Sequence, residues 1–242
     1  MAQELQLLAP SGNLLSLGLP DDPGVSSVSA TVRFVGRELS HGFQVGAPGF
    51  QEVANQSLMP ARVTDRFVVD GREVRLAVGE EGVNASVAMI DEFHELMTIY
   101  GGPPPEREDV VRLLEMFDVA DRPEGMVVTP RYGDVALSAE GISTYVDGRG
   151  TITVPNNENA HDMRPDYKGT PTRYGEVWRR EGQLPDRPGD GADTYMYILG
   201  TTTAVAEVVF LDRGRFEEPP RPQVSDEELL DWLYELNPRW ER

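Results

Sequence analysis

The chain has 242 residues, 39% of them hydrophobic and 26% charged. That is enough apolar material to bury a core without cross-links. Its 41 acids against 22 bases give a formal net charge of −19. Such a surface repels phosphate backbones and anionic lipid, so neither nucleic acid nor membrane is an expected partner. Cysteine is absent, which removes disulfides, thiolate metal sites and cysteine nucleophiles.

The first residues carry no basic region, and Pro10, Gly12 and Pro20 interrupt their apolar runs. A classical secretion signal is therefore not expected. The expected location is the cytoplasm, or incorporation in a virion. Residues 1–80 read as β-rich. The segments 5–9, 13–19 and 25–36 are short apolar or alternating runs. Residues 45–60 read as a loop broken by Gly and Pro. Asp70-Gly71 supplies the positive-φ pair of a type I′ turn. Two loop residues then pair Val69 with Arg72 and Phe67 with Val74. This collects Phe67, Val69, Val74, Leu76 and Val78 on one face.

Residues 84–120 read as a helical pair. Met89, Ile90, Phe93, Leu96, Met97 and Tyr100 fit one helical stripe, and Val110, Leu113, Leu114 and Phe117 fit a second. The connection Gly101–Pro105 is short and stiff. Residues 121–218 return to strands, with a second hairpin around Asp147–Gly150 and a long loop over 155–193. A Pro-rich linker over 219–224 leads to a helix over 225–237. The helix is specified by a Ser225/Glu228 capping box, a Val224/Leu229 staple and the stripe Leu229, Trp232, Leu233, Leu236. Asn237-Pro238 is expected to stop it. The fold class is α+β: a β-rich body of antiparallel hairpins (1–218), a two-helix insertion and a C-terminal amphipathic helix.

Catalytic signals are weak. His94-Glu95 lacks a second histidine four residues on, so a zinc helix fails. No G-x-S-x-G elbow is present. Glu158, His161 and Asp162 are the best oxygen- and nitrogen-bearing metal candidates, although their spacing matches no calcium loop. No cofactor is expected. Trp178, Arg179 and Arg180 form the most basic patch of the chain and have hot-spot composition.

These features favour a non-enzymatic structural or protein-binding subunit of a larger assembly, of the phage tail or baseplate type. It would dock through the long loop and the C-terminal helix, whose apolar stripe must be buried either on this chain's own body or on another chain. The expected partner-binding residues are Leu229, Trp232, Leu233, Leu236, Trp178, Arg179 and Arg180, facing a protein partner or further copies in an oligomer. The alternative is an acidic inhibitor or immunity protein that neutralises a basic toxin.

Overall fold

The computed structural model describes residues 3–21, 24–37, 39–156, 160–180, 184, 190–211 and 224–241. In chain order the strands are β1 (Gln3–Leu8), β2 (Leu14–Leu19), β3 (Val25–Gly36), β4 (Ser40–Gly46), β5 (Ala61–Val69), β6 (Arg72–Gly79), β7 (Asn84–Ile90), β8 (Glu95–Gly101), β9 (Phe117–Arg122), β10 (Gly125–Pro130), β11 (Val135–Val146), β12 (Gly150–Pro155), β13 (Thr170–Pro171), β14 (Gly175–Arg179), β15 (Met196–Thr201), β16 (Val205–Phe210) and β17 (Asn237–Trp240). The helices are α1 (Phe50–Ser57), α2 (Arg107–Leu114) and α3 (Asp226–Glu235). The architecture is mostly antiparallel β-sheet. No helix among the described residues is long and apolar enough to cross a membrane.

The chain forms two compact units. Unit 1 holds residues 1–7, 13–28 and 141–242; unit 2 holds 8–12 and 29–140. The chain therefore passes from one unit to the other four times.

In unit 2 the strand order is β11-β3-β4-β8-β7-β6-β5. The register puts Phe34, Phe43, Leu96, Val87 and Val74 on one face, all buried. The β9–β10 hairpin covers this face. The Phe117 ring centroid lies 4.8 Å from that of Phe34 and 5.2 Å from that of Phe43. α2 buries Val110, Leu113 and Leu114, and at its start the Arg107 guanidinium sits 5.2 Å above the Phe67 ring. On the opposite face, Ala54 of α1 packs with Ala88 and Met97. Residues 8–12 run beside β10, with Leu8 N–H donating to the Glu124 carbonyl and Val128 N–H to the Pro10 carbonyl, both at 2.8 Å. Gly125, with φ 154°, makes that approach possible, because a Cβ there would run into the Leu8 carbonyl.

Unit 1 contains the order β13-β14-β15-β16-β12-β11 and a smaller sheet, β1-β2-β17. One face of the larger sheet carries Tyr197, Val208, Phe210 and Ile152, all buried. Trp232 of α3 meets this face, its ring 6.5 Å from Phe210. The other face holds the cluster of Trp178, Ile198 and Val205, with Met163 packed against it.

The two sequence hairpins form as their turn residues require. Asp70 and Gly71 have φ of 50° and 81°, and Val69 pairs with Arg72 and Phe67 with Val74. The Asp147–Arg149 turn joins Val146 to Gly150. Four other expectations are corrected. The first helix of the supposed two-helix insertion is a hairpin, β7–β8. Five consecutive residues of β7 are buried because the sheet is covered on both faces, so the alternation is hidden and an apolar run imitates a helix. Within 45–60, residues 50–57 form α1, whose sheet-facing stripe includes the polar Gln51 and Asn55. Within 155–193, β14 is a full member of the sheet. The helix expected over 225–237 does stop before Pro238, but α3 ends at Glu235 and Asn237 already belongs to β17, which pairs with β2, Asn237 opposite Gly18 and Trp240 opposite Leu15.

Candidate protein interface

α1 is anchored by polar groups rather than by a broad apolar face. Glu95, only 2% exposed, accepts from the N–H groups of Gly49 and Gln51, each at 2.8 Å. These are orphan donors at the start of a helix, and a carboxylate there also meets the positive end of the helix dipole. The Gln51 amide donates to Ser86 Oγ at 3.1 Å, and Ser86 Oγ donates to Asn55 Oδ1 at 2.8 Å. The network fixes the helix over β7 and leaves its outer side chains in defined places.

Of the exposed side chains, Glu52, Gln56 and Ser57 are polar and two are aliphatic. Val53 is 60% exposed and Leu58 is 75% exposed. Leu58 follows Gln51, Ala54 and Asn55 at helical spacing, yet it projects past the buried part of the stripe. The neighbouring β5 is the last strand of its sheet and adds Val63 and Val68, the latter 68% exposed. Both lie on the face that α1 covers, because the bulge between Val63 and Asp65 reverses the alternation of β5. The bulge also blunts β5 as a template for strand addition.

The charged side chains beside these residues are ion-paired, two arginines sharing Glu73. Arg66 lies 2.6 Å and Arg75 2.9 Å from Glu73. Hydrogen bonds from Arg75 and then Arg66 hold the Glu73 carboxyl down to about 2. Arg62 lies 3.7 Å from Glu80. Exposed aliphatic residues are thus interspersed with paired charge on these two elements, Arg66 lying on the same face of β5 between Val63 and Val68.

The residues singled out from the sequence lie elsewhere, in unit 1. Leu229, Trp232, Leu233 and Leu236 are between 0 and 4% exposed. This chain's own unit covers them, so the α3 stripe offers no free surface to a partner. The capping box forms as read, with Ser225 Oγ accepting from Glu228 N–H at 3.2 Å. The Trp232 indole donates to Asp21 Oδ1 at 3.0 Å, while Arg149 donates to Asp21 Oδ2 at 2.9 Å and sits 5.9 Å above the Trp232 ring. Trp178 is also core, its indole donating to the Tyr167 carbonyl at 2.8 Å. Arg179 and Arg180 do remain exposed. The first is stacked 4.3 Å over Tyr195, and the second is 4.0 Å from Glu207.

Of the metal candidates, Glu158 and the His161 side chain lie outside the described residues, and Asp162 is exposed. Among the described residues, no group of three or more His, Asp or Glu side chains could hold a metal ion. His94 belongs to the β7–β8 turn, not to a helix. Its Nδ1 lies 2.7 Å from Asp121 Oδ1, while Asp121 Oδ2 accepts from Phe93 N–H at 2.6 Å and His94 N–H at 3.2 Å. This fixes the imidazole and ties the turn to β9. The contact spans 27 residues, and no local pattern in the sequence announces it.

Sequence reasoning also missed the α1–β5 rim. Its signal in the sequence is Val53, Val63 and Val68, which fit no buried stripe, with Leu58 at the end of the α1 stripe. Comparison of the chain with family models, curated proteins and solved structures finds no match.

Proposed function

We propose that the protein is a non-enzymatic, protein-binding subunit of a larger assembly, a virion or phage-tail type structure among them, and that it docks through the α1–β5 rim of unit 2. The observation that supports this reading is the exposure of Val53, Leu58, Val63 and Val68 on two adjacent elements among ion pairs that are already matched. Exposed aliphatic clusters of this kind mark association surfaces. With β5 bulged, contact through side chains is favoured over pairing of backbones.

The test is the double variant Leu58→Ser, Val68→Ser. Both side chains are already in water, so the melting temperature is expected to stay near that of the parent, as surface substitutions usually leave it. The assembly recovered with the parent chain from its native source should be lost. Recovery of the same particle with the double variant would overturn the proposal.

A second reading, the acidic inhibitor, is favoured by the outer face of α3. There Glu227 and Asp231 are exposed alongside Glu235, whose partner is Arg173 at 2.7 Å. That face would attract a basic protein, and substituting Glu227 and Asp231 by Gln and Asn should slow its association. An association rate left unchanged would remove this reading.

A further inference from the structure

We draw no further inference here: the strongest candidate, the exposed aliphatic rim formed by α1 and β5 in unit 2, already carries the proposed function, and nothing in the structure shows what covers it.

Discussion

Ser11 and Glu140 are 129 residues apart and joined twice: the Glu140 carboxylate accepts from the Ser11 N–H at 2.9 Å and from its hydroxyl at 2.6 Å. Glu140 is 4% exposed, so its charge depends on such donors rather than on water. Glu140→Gln keeps the shape but replaces one acceptor oxygen with a donor. The variant is expected to lose about 1–3 kcal/mol of stability in urea titrations, the range for disturbing a buried, charge-assisted bond. An unchanged midpoint would show that the contact contributes little to the fold.

Glu95 has a local role that can be read directly. Glu95→Ala leaves the N–H groups of Gly49 and Gln51 without their acceptor. Hydrogen exchange at these two amides should quicken before exchange in β7 does, because the start of α1 frays first. The stability cost expected is about 1–3 kcal/mol. Uniform acceleration across unit 2 would argue that Glu95 holds the whole sheet and not the helix start.

Trp232 combines packing with one polar bond. Trp232→Ala should cost about 3–5 kcal/mol, as for other large aromatic deletions from cores. Trp232→Phe, which loses the bond to Asp21 but keeps most of the ring, should cost less, roughly 1–2 kcal/mol. Guanidinium unfolding of both variants separates the two contributions. Equal costs would mean that the indole bond outweighs the packing.

His41 predicts a pH dependence. Its Nε2 lies 2.8 Å from Thr98 Oγ1, its ring packs between Phe43 and Tyr100, and burial lowers its pKa from 6.5. As pH falls through 6.5 the unfolded chain takes up this proton before the folded chain does. The stability from keeping His41 neutral is therefore complete above 6.5 and declines as pH drops from there towards the folded value. His41→Gln should flatten that limb of the stability curve. A curve of unchanged slope would assign the acid sensitivity to other groups.

Local chemistry was legible in the sequence wherever neighbours in the chain complete it. Asp70-Gly71 fixes a turn and, with it, the five paired positions from Val69 back to Asp65, as far as the bulge. The Ser225/Glu228 box is likewise closed within a single helical turn. Hidden features were those completed from far away. α1 takes its cap from Glu95, more than forty residues on, and hides its buried stripe behind Gln51 and Asn55. β7 is covered on both faces, so its residues lost the alternation that names a strand. The destination of the α3 stripe was open for the same reason. Its amphipathic pattern required a surface, and only the fold could say that the surface belongs to Phe210 and Asp21.

The pairing of β17 with β2 bears on how the protein is made. Unit 2 ends at residue 140, within β11, so its other strands are complete once that point has been synthesised. Unit 1 contains Leu15 and Leu17 from the beginning, but their partners on β17 are Trp240 and Pro238. During translation the edge of β2 must wait, unpaired, while more than two hundred residues are added. Long-range strand pairing is slow, and an unpaired edge is open to wrong partners meanwhile. Between the synthesis of residue 19 and that of residue 237 the β2 edge therefore lacks its β17 partner.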